Sequence, residues 1–201
     1  MRSPLRPSLG SELAQWLSQR RSFADLLSTN RDKVRKKLRA ATDDASLLDV
    51  RAELLVAALV CADRRFELAF EAYGSGKRGP DFTVSFRDHQ RFDLEVTRLR
   101  QVPSDETGMA ARRVARAVLA KLPQLTAGLP NVVAVVADEG ASTAVVDDAL
   151  RILKRGVHAQ YARLSAVAVV GERAGVLALG RDARHPLPRE VTVALSRCLG
   201  P

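Results

Sequence analysis

Gly79-Pro80-Asp81-Phe82-Thr83-Val84-Ser85-Phe86-Arg87 is followed, after a short turn, by Arg91-Phe92-Asp93-Leu94-Glu95-Val96-Thr97. Both runs alternate polar and apolar residues with a period of two, so both read as half-buried strands. Phe82, Val84 and Phe86 share one face of the first, and Phe92, Leu94 and Val96 one face of the second. If the runs pair as a hairpin, the apolar rows must coincide, because a slip of one residue would expose them. That condition puts Asp81 and Glu95 on the same face, directly opposite or one diagonal step apart, at roughly 5 to 8 Å.

Two carboxylates about 5 Å apart repel by roughly 3 kcal/mol at an effective dielectric of 20. Either one takes up a proton or a cation joins them. Hard oxygen ligands on rigid strands suit Mg²⁺ or Mn²⁺. A third acid, Glu53, lies inside an apolar helical run and can complete the cluster. The competing reading is a half-solvated hairpin whose acids pair with nearby arginines such as Arg87 or Arg91.

Outward from the hairpin, Thr42-Asp43-Asp44 is a good helix start, and the helix is expected from about Ala45 to Arg65. Phe66 to Tyr73 suits a strand. Five of the six phenylalanines fall between 66 and 92, which points to three strands sharing one core layer. A helix is expected from about Asp105 to Leu122. Asn131 to Ala137 and Ala166 to Val170 are apolar with little alternation, as in strands buried on both faces. Between them a helix is expected from about Ser142 to Val157. A further strand is expected near Val176 to Leu179, and a helix or strand over 189–198. This order implies an α/β sandwich with a mixed sheet. Upstream, residues 1–10 read as an irregular lead-in. Ser11 reads as the cap of a short helix carrying Leu13, Trp16 and Leu17, and Asn30 as the cap of a second carrying Val34 and Leu38.

The chain of 201 residues has a net charge of +9. The first 43 residues hold ten bases and four acids, leaving only +3 for the rest. Arg31, Lys33, Arg35, Lys36, Lys37 and Arg39 crowd the second N-terminal helix, either a phosphate-gripping face or a solvated helix back. The division expected is a basic helical extension over 1–43 and a core domain over 44–201. No apolar run approaches the ~20 residues of a membrane span. The N-terminus lacks the apolar segment of a signal peptide, and the two cysteines, Cys61 and Cys198, have no metal-ligand spacing. A cytoplasmic protein without membrane association is expected.

Pro80-Asp81, then Glu95-Val96-Thr97, preceded by a helix carrying Glu53, resembles the PD-(D/E)XK nuclease superfamily, the restriction-endonuclease-like fold. The resemblance covers roughly Asp44 to Lys121. It implies a central mixed sheet flanked by helices, metal held by Asp81, Glu95, the Val96 carbonyl and Glu53, and Mg²⁺-dependent hydrolysis of nucleic acid, DNA ahead of RNA. It also allows a homodimer. Thr97 stands where that family has its lysine. Thr97 can hold the attacking water but brings no positive charge, which must then come from Lys77 or from Arg112, Arg113 or Arg116. Arg112 and Arg116 are also candidate nucleic-acid contacts. The alternative, motivated by Thr97, is a catalytically inactive module of the same fold that binds nucleic acid or a partner protein.

Overall fold

A computed structural model describes residues 5–71, 79–99, 107–138, 142–156, 158–171 and 175–200. Four helices come first: α1 (Leu5–Gln19), α2 (Arg21–Thr29), α3 (Arg31–Ala40) and α4 (Asp44–Val60). Strands β1 (Phe66–Phe70), β2 (Phe82–Phe86) and β3 (Gln90–Arg98) follow, then α5 (Thr107–Lys121) and β4 (Asn131–Val136). Helices α6 (Thr143–Gly156) and α7 (His158–Tyr161), strands β5 (Ala166–Val170) and β6 (Gly175–Leu179), and helix α8 (Arg189–Leu199) complete the chain.

The strands form one mixed sheet in the order β1-β2-β3-β4-β5-β6. β1, β2 and β3 are antiparallel, β3, β4 and β5 are parallel, and β6 returns antiparallel. Alternation decides which face each residue serves. Phe82, Val84, Phe86, Phe92, Leu94, Val96, Val132, Ala134 and Val136 pack with residues of α1 to α4 and α8 in one core. Val133, Val135, Val167 and Val169 pack on the other face with α5 and α6. The two β4 sets come from neighbouring residues, so β4 is apolar throughout because both of its faces are covered. The five clustered phenylalanines lie in the first core, with Phe66 against Phe86 (centroids 4.9 Å) and Phe70 edge-on to Phe82 (5.2 Å).

The hairpin pairs Phe82 with Leu94 and Val84 with Phe92, the register that keeps both apolar rows inward. Helix α4 starts where Asp43 predicts. Its carboxylate accepts from Ser46 N at 2.7 Å, and the Asp43 N–H donates back to the Ser46 hydroxyl, a capping box. It ends at Val60, five residues short of the expected end. Asp63 there accepts from Arg65 N and its guanidinium, local bonds that compete with a continuing helix.

The N-terminal region departs further from expectation. Helix α1 already covers residues 5–10, because Pro7 lies in its first turn, where a missing N–H costs nothing. Ser11 is therefore internal, its hydroxyl donating to Pro7 O. Asn30 makes no side-chain cap for α3 and instead closes α2 by donating to Leu26 O at 2.9 Å. Helix α2, not expected as a separate element, buries Phe23 and Leu26. Leu9, Trp16, Phe23, Leu26 and Val34 belong to the same core as α4 and the sheet. Described residues of the first 43 thus share a core with those that follow. Among the described residues, no helix is long and apolar enough to cross a membrane.

At the N-terminal end of the parallel strands, polar residues tie the layers together. Asp93, 2 % exposed, accepts from the Thr83 and Thr126 hydroxyls. The Asn131 amide donates to the carbonyls of Thr126, Leu129 and Arg163, and its oxygen accepts from Thr126 N. Asn131→Ala would strand these buried groups and is expected to cost about 3 kcal/mol. Urea unfolding measures it, and a loss below about 1 kcal/mol would show that the loops hold without the amide.

Candidate active site

Asp81 sits one position ahead of β2, so continuing the register of Phe82 with Leu94 places it across from Glu95. Here side chains replace the next rungs of the ladder. Asp81 N donates to Glu95 Oε2 at 3.1 Å, and Val96 N donates to Asp81 Oδ2 at 2.8 Å. β3 continues to Arg98 past the start of β2, and over that length it pairs with β4. Asp81 therefore caps a strand edge that β2 leaves open. Neither acid is held by the arginines of the competing reading: Arg87 pairs with Glu190 at 3.1 Å, and Arg91 is exposed.

Two lysines meet the acids instead. Lys121, the last residue of α5, places Nζ 2.7 Å from Glu95 Oε1. Lys37, on α3, places Nζ 2.6 Å from Glu53 Oε2, 3.3 Å from Glu71 Oε1 and 3.9 Å from Asp81 Oδ1. The Phe70 ring lies beneath that ammonium, 4.9 Å to its centroid. Lys33 donates to the carbonyls of Phe70 (2.9 Å) and Glu71 (3.5 Å), which fastens α3 to the end of β1.

The charge balance of this cluster is uneven. Four carboxylates (Glu53, Glu71, Asp81, Glu95) face two ammonium groups, an excess of two negative charges when all are ionised. Burial, and then repulsion from Asp81, pushes Glu53 up to about 7 despite Lys37. The same two causes raise Glu95 despite Lys121. Burial acts to lower both lysines, but Glu53 beside Lys37 and Glu95 beside Lys121 outweigh it and hold them above their ordinary value.

Among the described residues, no three acidic, histidine or cysteine side chains stand ready-gathered around one metal position. The donor chemistry nonetheless suits a hard divalent ion: carboxylate oxygens carrying an excess of two charges. Mg²⁺ commonly takes only one or two carboxylates, with waters and phosphate completing its shell. Asp81 and Glu95 would supply these, with Glu53 next to them.

Of the other expected site residues, Thr97 is half-buried on the same face of β3 as Glu95, two positions on. Val96 turns its side chain into the opposite core and gives Asp81 its N–H. Lys77 lies outside the described residues. Arg112 and Arg116 are exposed on α5. Arg98 points to the opposite face, bonding Asp49 of α4 at 3.1 Å. Arg31, Arg35, Lys36 and Arg39 are exposed on α3, whereas Lys33 and Lys37 turn inward. Sequence reasoning missed Lys121 and Glu71, and placed Lys37 among phosphate contacts rather than with the acids. A signal existed: Lys121 follows Val114 and Val118 at helical spacing, and Lys37 falls between Val34 and Ala41, so both interrupt buried stripes.

His89 and His185 are exposed and stand apart from the cluster. Cys61 and Cys198 are free thiols, pushed up by burial to about 12 and about 11. Comparisons with family models, with curated proteins and with solved structures return no match.

The raised Glu53 has a consequence for stability. Folded Glu53 keeps its proton up to about pH 7, whereas an ordinary glutamate releases it near 4.5. Between these values the folded state binds more protons, so its stability is greatest below the window and falls as pH rises through it. The loss is up to about 3 kcal/mol. Glu53→Gln should flatten this slope in urea titrations from pH 4.5 to 7.5. An unchanged slope would show that Glu53 titrates normally.

Proposed function

We propose that this chain is a metal-dependent phosphodiesterase of the restriction-endonuclease-like kind, acting on nucleic acid. The observation that carries this reading is the pairing of Asp81 with Glu95 across an open strand edge, with Lys121 against Glu95. The element order supports it: helix α4 with Glu53, three antiparallel strands, helix α5, then a strand parallel to the third.

In this mechanism Asp81 and Glu95 would hold Mg²⁺ or Mn²⁺, with Glu53 and the Val96 carbonyl beside it. A divalent ion bound there would lower the pKa of water and offset charge on the phosphoryl group. Glu53, beside the metal position, would accept the proton of the attacking water as the water oxygen bonds to phosphorus; the ester P–O bond breaks and the departing oxygen takes a proton from solvent. Thr97 offers a hydroxyl to hold that water. Lys121 supplies the positive charge absent at Thr97, stabilising the extra charge that develops on the phosphoryl oxygens.

One observation favours the second reading, a catalytically silent module of the same architecture. Lys37 already stands among Glu53, Glu71 and Asp81 and offsets part of their charge. Plasmid cleavage with Mg²⁺ and Mn²⁺ separates the two. The active reading expects nicking by the wild type, its abolition in Asp81→Ala, and a loss of about a hundredfold in Lys121→Met. If the wild type neither cleaves nor takes up Mn²⁺ in titration calorimetry, the site belongs to the silent module. Equal cleavage by wild type and Asp81→Ala would remove the site altogether.

A further inference from the structure

We propose that the outer face of α3 is a track for the phosphate backbone of a nucleic-acid duplex, leading one strand to the carboxylate cluster. The proposal deepens the functional reading by naming the form of substrate, and it rests on that reading for the direction of the track.

Three observations carry it. The first is continuity. Lys37 and Lys33 on the inner side of α3 reach the acids and the end of β1, so the outer cations of the same helix begin within a turn of the cluster. The second is unrelieved charge. Arg31, Arg35, Lys36 and Arg39 are exposed, and none makes an ion pair among the described residues. Other cations of this chain do find acids: Arg51 with Glu12, Arg65 with Asp63, Arg87 with Glu190, Lys154 with Asp182. Arg31, Arg35 and Arg39 follow one another at steps of four, where like charges on a helix repel. Asp32 is the one acid on this helix, three residues before Arg35 and four before Lys36, and it makes no ion pair with either among the described residues. The stripe spans about 12 Å, the axial reach of three to four nucleotides of one strand at ~3.4 Å each. At its start, a hollow of about 310 Å³ brings Ser28, Thr29 and Asn30 beside Arg31, Lys33 and Arg35, with Asp32 the only acid in its lining.

The third observation selects a duplex over a single strand. Proteins that hold single strands stack bases on exposed aromatic rings. Every aromatic side chain among the described residues is buried: Trp16, Tyr161 and all six phenylalanines. Among the described residues this surface therefore offers cations without a stacking platform, which suits phosphates on the outside of a helix whose bases stay paired.

Fluorescence anisotropy with a labelled 20-base-pair DNA in EDTA tests this without metal or cleavage. The wild type is expected to bind with strong salt dependence and to prefer the duplex to oligo-dT of equal length. Replacing Arg31, Arg35, Lys36 and Arg39 together with Gln should weaken binding at least tenfold. It should also make the slope of log Kd against log salt shallower by about 3, at close to one unit per phosphate. A variant matched in charge, with Arg151, Arg155, Arg181 and Arg184 replaced by Gln, alters exposed arginines toward the opposite end of the sheet and should bind nearly as the wild type does. Metal and cleavage play no part in this readout, so a failure of the nuclease reading leaves the result intact. Equal losses in the two charge variants, oligo-dT binding as tightly as the duplex, poly-glutamate competing as well as DNA, or no binding by the wild type would each overturn the proposal.

Discussion

The molecule depends most on how it manages a shortage of positive charge at one buried spot. Asp81 and Glu95, opposed across two strands, repel unless positive charge stands near them. The fold answers with ammonium groups from two separate helices, Lys121 on one side of the sheet and Lys37 on the other. The answer is incomplete, since four carboxylates share two lysines, and burial followed by repulsion from Asp81 raises the proton affinities of Glu53 and Glu95. That shortage is the ground on which a divalent ion is proposed there.

Sheet geometry explains why the acids meet where they do. The two apolar rows of the hairpin fix the register, and the register brings the polar rows into opposition. β2 then begins one residue after Asp81 while β3 runs on to Arg98, so the ladder ends at the acids and carboxylates take over its hydrogen bonds. Helix α5 covers β3 and β4 but leaves the polar face of β1 and β2 uncovered, where Glu67 and Ala69 are exposed and Thr83 and Ser85 half-exposed. The cluster lies at that boundary between covered and uncovered sheet, buried enough to shift proton affinities.

The strands were legible in the sequence because period-two alternation and grouped phenylalanines leave little choice of face. The apolar runs of β4 and β5 were equally plain. Helix α1 was not, because Pro4 and Pro7 read as breakers although a proline in the first turn is harmless. Helix α2 was hidden by its nine residues and by Asn30, which closes it rather than opening the next helix. The cluster was half legible. The acids are fixed by strand register, which sequence displays. Lys37 and Lys121 act through long side chains on helices whose placement depends on tertiary packing, and the only trace they leave is a cation on an apolar stripe.

That both cations are lysines argues about purpose. Arginine outnumbers lysine 26 to six in this chain, and the surface ion pairs draw mostly on arginine. At the acids the preference reverses. A guanidinium would engage a carboxylate with its rigid fork, occupying both oxygens and locking the pair. An ammonium is a compact point charge that touches one oxygen and leaves the rest of the carboxylate open to water or to a second cation. Lys121 meets Glu95 through Oε1 alone, and Lys37 approaches Asp81 no closer than 3.9 Å. If the cluster existed only to fasten helices to the sheet, arginine would hold it more firmly, and it is the cation this chain uses most. A site built to admit another positive partner has reason to be held loosely, and lysine holds it loosely.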